Sequence, residues 1–212
     1  MSGAQRMLPT WLAVTAVLLL SIAGLYAITH GFRAITSDQA RQQALARSPR
    51  TLPPIRLIDS HGQATDLGTI ARRRPYTVVS LVYTQCTSLC LLTASGEAYL
   101  QARLRETGLQ EQVGLLTISF DPARDTPGAL AQYARRVKAD PGHWKVATVA
   151  DPSDLDRLLD AFDVVVLPDG AGDYTHNGAL FLVDGQGRLF DALDPDAADE
   201  AFTRLSARMQ AP

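Results

Sequence analysis

Cysteine is almost absent from the chain: its 212 residues hold two, Cys86 and Cys90. Net positive charge is lacking too. The formal net charge is -2, and no stripe of Lys and Arg interleaves with aromatic residues, which excludes nucleic acid as a partner. No internal repeat or low-complexity tract interrupts the sequence, so repeat architectures are excluded as well. The acidic cluster Asp191, Asp194, Asp196, Asp199 and Glu200 lacks the central glycine of a calcium loop. Acids gathered at a helix N-terminus, where they meet the positive end of the dipole, explain that cluster better.

A charge-free stretch is equally informative. From Met7 to Thr29 no charged side chain occurs, and about 23 residues would span roughly 34 Å as a helix, enough to cross a bilayer. The run is too long for an ordinary signal peptide, with no convincing small-x-small cleavage site after Leu20 and no lipobox cysteine. It therefore reads as an uncleaved single-pass anchor. Positive charge flanks it on both sides, with Arg6 before and Arg33, Arg41, Arg47 and Arg50 after, so charge alone does not orient it. A short leader of this kind usually sends the following domain across the membrane, into an oxidising compartment. The expected organisation is an anchor over 1–30, a juxtamembrane spacer over 31–51, and one globular domain over 52–212.

Within that domain, strands alternate with helices. Pro53-Pro54 ends the spacer, and Ile55–Ile58 with Ala64–Leu67 reads as a hairpin across Ser60-His61-Gly62. Tyr76–Tyr83 and Val113–Phe120 are continuous apolar, β-branched runs, the pattern of central strands buried on both faces. A helix follows the cysteines, with Leu89, Leu92, Tyr99, Leu100 and Leu104 as its approximate apolar stripe. Another starts at Asp125 or Thr126 with Pro127 in its first turn, and Leu130, Tyr133, Ala134 and Val137 recur at helical spacing. Trp144–Ala150 is a third strand, and a helix capped by Asp151 carries Leu155, Leu158, Leu159 and Phe162. Ala179–Asp184 and Gly187–Phe190 form a hairpin before a last helix from about Asp196 to Met209. This order describes an α/β fold, a three-layer sandwich.

The two cysteines stand at the junction of the Tyr76–Tyr83 strand with its helix, in Thr84-Gln85-Cys86-Thr87-Ser88-Leu89-Cys90. With Cys86 just before the helix and Cys90 in its first turn, both sulfurs share one side near the positive end of the dipole, and both thiols are expected to ionise readily. Three fates are open to such a pair. Cα atoms at i and i+4 lie roughly 6 Å apart, within disulfide range. Two thiolates and one imidazole would alternatively suit Cu(I). The third is a pair of buried, inert cysteines. Of four histidines, His30, His61 and His143 read as solvated residues, whereas His176 precedes the strand expected to pair beside Tyr76–Tyr83. There it can face the cysteine helix.

Three blocks in order resemble the Sco/SenC family of thioredoxin-like copper-binding assembly factors. They are the strand running into Cys86-x-x-x-Cys90, then Ile118-Ser119-Phe120-Asp121-Pro122-Ala123-Arg124-Asp125-Thr126-Pro127, and His176 ahead of Phe181-Leu182-Val183-Asp184-Gly185-Gln186-Gly187. The likeness covers roughly Leu52 to Ala207. It implies a thioredoxin-like sandwich in the periplasm or mitochondrial intermembrane space, with a copper ion held by Cys86, Cys90 and His176. It also implies a partner such as the copper-site subunit of cytochrome c oxidase or another copper or thiol-disulfide protein. Asp121, Arg124 and Asp125 would lie beside the site as supporting or docking residues, although helix capping and an Arg-Asp pair explain them equally well. The chain departs from the family by carrying Thr87 and Leu91 where proline commonly follows the cysteines, and Asn177 where serine follows the histidine. A thiol-disulfide oxidoreductase, with Cys86 as nucleophile and Cys90 resolving through a redox-active disulfide, is the alternative reading.

Overall fold

The structure is a computed structural model that describes residues 4–28, 37–86, 89–170 and 172–210. His30, Arg33, Thr87 and Ser88 lie outside the described residues, as do the side chains of Leu89 and Leu91. The chain divides into two units, Met1–Gln43 and Ala44–Pro212. In the first, helix α1 (Ala4–Ile28) contains the segment Thr10–Ala27, with mean hydropathy 1.9 and none of it buried. By length and composition this segment can cross a membrane, as an anchor or a signal helix would. Helix α2 (Ser37–Arg47) follows.

The second unit takes in part of the expected spacer. Leu45 is buried in its core. Strand β1 (Arg50–Thr51) already pairs with the sheet, and Arg50 makes a two-pronged ion pair with Asp163 at 2.8 and 3.0 Å. The hairpin β2 (Arg56–Asp59) and β3 (Ala64–Asp66) comes next, and the Asp66 side chain then caps a short helix, α3 (Leu67–Ala71). From there the elements are β4 (Tyr76–Val82), α4 (Leu89–Glu106), β5 (Val113–Ser119), α5 (Pro127–Arg136), β6 (Trp144–Val149) and α6 (Leu155–Phe162). A small ribbon, β7 (Val166–Pro168) with β8 (Tyr174–His176), stands apart from the main sheet. The hairpin β9 (Leu180–Asp184) with β10 (Arg188–Leu193) and the helix α7 (Ala198–Gln210) complete the chain.

The main sheet has 8 strands in the order β1-β10-β9-β4-β5-β6-β2-β3, with β4, β5 and β6 parallel at its centre. Those three need crossover helices, which α4 and α5 supply. Successive strand residues point to opposite faces, so β9 identifies the layers: Leu180 approaches α4, whereas Phe181 stacks on Phe162 of α6 at 4.9 Å. Helices therefore cover both faces, and the thioredoxin-like three-layer arrangement is present. Gly96 marks how closely α4 approaches the link into α7, since a Cβ there would lie 2.8 Å from the Pro195 carbonyl oxygen. Gly187, at φ +76°, closes the β9–β10 turn.

The face of α4 differs from the expected stripe. Leu92 and Tyr99 are exposed, and the buried face is Cys90, Thr93, Ala94, Glu97, Leu100 and Leu104. Glu97 is fully buried. Its carboxyl accepts from the Ser80 hydroxyl at 2.8 Å and the Thr117 hydroxyl at 2.9 Å, while Thr117 accepts from the indole Nε1 of Trp144 at 2.8 Å. Burial pushes this carboxyl up to about 7, against the two hydroxyl hydrogen bonds. The folded state thus keeps a proton that the unfolded chain releases near the ordinary glutamate value, and stability should fall as pH rises through the window from about 4.5 to 7. Urea unfolding at pH 4.5 and pH 8, compared between the wild type and Glu97→Gln, should show about 2–3 kcal/mol of pH dependence that the variant lacks. Identical pH profiles would show that Glu97 ionises normally.

Candidate metal centre

Strand β4 delivers the chain to the site through a clamped turn. The Thr84 amide and hydroxyl donate to the Asp125 carboxylate at 2.8 and 2.6 Å, and Arg136 donates to the Thr84 carbonyl at 2.6 Å. Ser119, at the end of β5, donates its hydroxyl to the same Asp125 carboxylate. Asp125 therefore ties together the exits of the two central parallel strands, and the capping residue of α5 is Thr126. Beyond this turn Cys86 precedes α4 and Cys90 lies in its first turn, as the spacing predicted. The Cys90 amide donates to the Cys86 sulfur at 3.3 Å. Both thiols are free and buried, with 7% and 2% of their surface exposed.

His176 reaches the pair from the β7–β8 ribbon, on a short strand where the sequence suggested a loop. Its Nε2 lies 3.5 Å from the Cys90 sulfur. Its Nδ1 lies 3.0 Å from the backbone carbonyl of Asn177. Because a carbonyl only accepts, Nδ1 carries the proton and the Nε2 lone pair faces the sulfurs. Burial lowers the imidazole's proton affinity below the ordinary histidine range, which keeps the ring neutral and able to ligate. The ring packs edge-on against Phe120 at 4.9 Å and Tyr83 at 6.2 Å, and Tyr174 closes the same aromatic wall. The side chain of Asn177 holds the ribbon's base by accepting from the Val165 amide at 2.7 Å and donating to the Asp163 carbonyl at 2.9 Å.

The Cys86 and Cys90 sulfurs and one imidazole nitrogen all lie within 4.8 Å of one another. Three such ligands around one ion, at bond lengths of about 2.0–2.3 Å, would stand about 3.5–4 Å apart. An adjustment of about 1 Å closes that difference. The donor set of two buried sulfurs and a half-buried neutral nitrogen fits a soft monovalent cation better than a hard one.

The expected easy ionisation of both thiols is not found at Cys90. Burial pushes the Cys90 thiol up, and the adjacent Cys86 sulfur adds to the effect through its hydrogen bond and charge. The dipole of α4 is outweighed by desolvation and by a like-charged neighbour. A bound cation would reverse this balance by supplying the missing positive charge, releasing protons as it binds.

The residues Asp121, Arg124 and Asp125 make distinct contacts. Asp125 is the clamp just described. Arg124 pairs with Asp121, donates to the Gly172 carbonyl in the β7–β8 ribbon, and lies over the Tyr174 ring at 5.0 Å. It thereby fastens the histidine-bearing ribbon to the β5–α5 loop. His61 is exposed in its turn, while His143 is more engaged than the solvated residue expected, lying 3.1 Å from Glu111 and 3.3 Å from Asp140. The aromatic wall, Asn177 and Glu97 carried no spacing signal, because each acts through a contact distant in sequence. In the acidic cluster, Asp191 and Glu200 pair with Arg204, and Asp199 accepts from Tyr99.

Two substitutions separate these supports. Asp125→Ala strands two hydroxyls and a buried amide and should destabilise the fold by about 2–4 kcal/mol in chemical denaturation. Arg124→Ala should change global stability by less than about 1 kcal/mol while accelerating amide hydrogen exchange across Tyr174–His176. Unchanged exchange there would show that the ribbon is held by its aromatic packing alone.

Comparison with known proteins places this geometry. The SCO1/SenC family model matches residues 43–210. A Stutzerimonas stutzeri protein named for copper binding is 32% identical over 157 residues, covering 72% of each chain. Among solved structures, a SCO1/SenC family lipoprotein from Bacillus anthracis superposes with TM-score 0.68 at 20% identity, covering 77% of this chain and 99% of the other. ScoI from Bradyrhizobium japonicum, solved with copper bound, gives TM-score 0.53 at 25% identity, covering 73% and 99%. The family model covers most of the chain, and the chain belongs to the SCO1/SenC family.

Proposed function

We propose that the protein is a membrane-anchored copper metallochaperone that carries Cu(I) on the thiolates of Cys86 and Cys90 and on Nε2 of His176. The observation that carries this reading is the convergence of the three soft donor atoms within 4.8 Å, with the imidazole already oriented by the Asn177 carbonyl. The copper named for the relatives supports it. Copper is cargo here. The chain's part is to hold two sulfurs in their reduced form, keep the imidazole neutral, and exclude water until a recipient offers its own ligands. Membership of the family favours the copper-site subunit of cytochrome c oxidase as recipient, with another copper or thiol-disulfide protein as the alternative. The apolar segment Thr10–Ala27 would keep the protein at the membrane, with its folded unit on the periplasmic or intermembrane-space side.

Thiolate ligation needs both sulfurs reduced, so a Cys86–Cys90 disulfide would release the ion and redox state would gate loading. The hydrogen bond from the Cys90 amide to the Cys86 sulfur also favours a second reading, a thiol-disulfide oxidoreductase with Cys86 as nucleophile, because that amide stabilises negative charge on Cys86. One variant separates the two. His176→Ala should weaken Cu(I) binding at least about tenfold, measured by anaerobic competition with a chromogenic chelator, and leave dithiol exchange nearly unchanged. The reduced wild type should take up about one Cu(I) per chain and the oxidised protein almost none. Less than about half an equivalent on the reduced protein would favour the oxidoreductase.

A further inference from the structure

Between α4 and α5 a cleft of about 270 Å³ opens beside the dithiol. Among the described residues it is lined by Cys86, Cys90, Ala94, Ser95, Tyr133 and Arg136, with Ala98 and Val137 at its far end. His176 is not part of this lining, and its ring approaches from the β7–β8 ribbon. The two sulfurs thus have a second exposure that neither the imidazole nor the aromatic wall covers.

The chemistry of the cleft defines what fits it. Ala94, Ser95 and Ala98 are small and recur on one side of α4, which leaves room for an extended segment against the helix. Arg136 stands exposed at the rim, and among the described residues no carboxylate pairs with it. Tyr133 is 3% exposed, and its hydroxyl is buried without a hydrogen-bond partner. Tyr133 and both cysteines line the same cleft. A buried donor without an acceptor is unfavourable in the free protein, and an acceptor seated in the cleft would satisfy it.

We propose that the α4–α5 cleft is the docking site for the partner, and that it receives an acidic, cysteine-bearing peptide segment. The partner's sulfur meets Cys86 from this side, a main-chain carbonyl of the segment accepts from Tyr133, and an acidic side chain pairs with Arg136. This assignment rests on the dithiol chemistry of Cys86 and Cys90 given above and adds the route by which the partner reaches it. For an oxidised partner the step balances as two exchanges. The Cys86 thiolate attacks one sulfur of the partner disulfide, forming a mixed disulfide and releasing one thiolate. Cys90, giving its proton to the thiolate just released, then attacks the Cys86 sulfur, forming the Cys86–Cys90 disulfide and releasing the second thiolate. Two electrons pass to the partner disulfide, and the two thiol protons are available to the released thiolates.

Glutathione disulfide, itself an acidic cysteine peptide, serves as the probe on the full-length reduced protein. Ser95→Trp and Ala98→Trp each fill the cleft from an accessible face of α4, and Tyr99→Trp adds an indole to the same helix outside it. The two cleft variants should oxidise at least about tenfold more slowly than Tyr99→Trp at matched melting temperature. Oxidation of wild type by glutathione disulfide should slow with added salt, whereas oxidation by the neutral hydroxyethyl disulfide should not. A cleft variant that melts normally and reacts as fast as Tyr99→Trp overturns the docking site. A salt response equal for both reagents overturns the acidic character of the partner. Neither readout involves copper, so a wild type that fails to bind Cu(I) would remove the metal reading and leave this comparison standing.

Discussion

The carboxylate of Asp125 is the constraint on which the rest of the site depends. It is buried and accepts from the Thr84 amide, the Thr84 hydroxyl and the Ser119 hydroxyl. Those donors belong to the exits of two adjacent parallel strands, so one charged group fixes where the chain leaves the sheet before Cys86. The same loop sends Arg124 outward to the ribbon that carries His176. The loop from Asp121 to Asp125 is therefore a joint between the sulfur-bearing and nitrogen-bearing halves of the centre. A charged acceptor suits this place because hydrogen bonds to ionised groups are stronger than neutral ones.

The electrostatics around that joint favour a cation at the centre. Burial raises the proton affinity of Cys90 and lowers that of His176, so the centre at rest tends toward uncharged donors. A soft cation changes the balance, since its charge stabilises the thiolates and its preference for sulfur and neutral nitrogen matches what is offered. A disulfide reaches neutrality by a different route, by removing both protons and two electrons. Ion binding and oxidation are thus competing answers to the same desolvation, which is why the proposed function entails redox control of loading.

Much of the fold was legible in the sequence because the informative signals are local. Tyr76–Val82 and Val113–Ser119 read as buried strands from unbroken apolar runs, Thr126-Pro127 marked a helix start, and the two cysteines announced a strand-to-helix junction. The apolar stripe of α4 was right only in part, because its buried face includes a carboxyl group and small residues. Leu100 and Leu104 face the core as expected, whereas Leu92 and Tyr99 point outward. Glu97 could not be read as buried, since the hydroxyls that satisfy it stand on two different strands. The length of the second unit was underestimated for a related reason. Arg50 and Thr51 look like spacer until β10 and Asp163 are seen to hold them.

The proposed ligand set was legible only in part. Cys86 and Cys90 needed no partner to be noticed, whereas His176 needed an expectation about which strand follows it. What orients the imidazole, the Asn177 carbonyl and the Phe120, Tyr83 and Tyr174 rings, becomes visible only once four segments meet. X-ray absorption spectroscopy of the Cu(I)-loaded protein tests the central claim most directly. The account predicts about two sulfur scatterers near 2.3 Å and about one imidazole nitrogen near 2.0 Å. A spectrum with sulfur alone, or with nitrogen and oxygen alone, would contradict it.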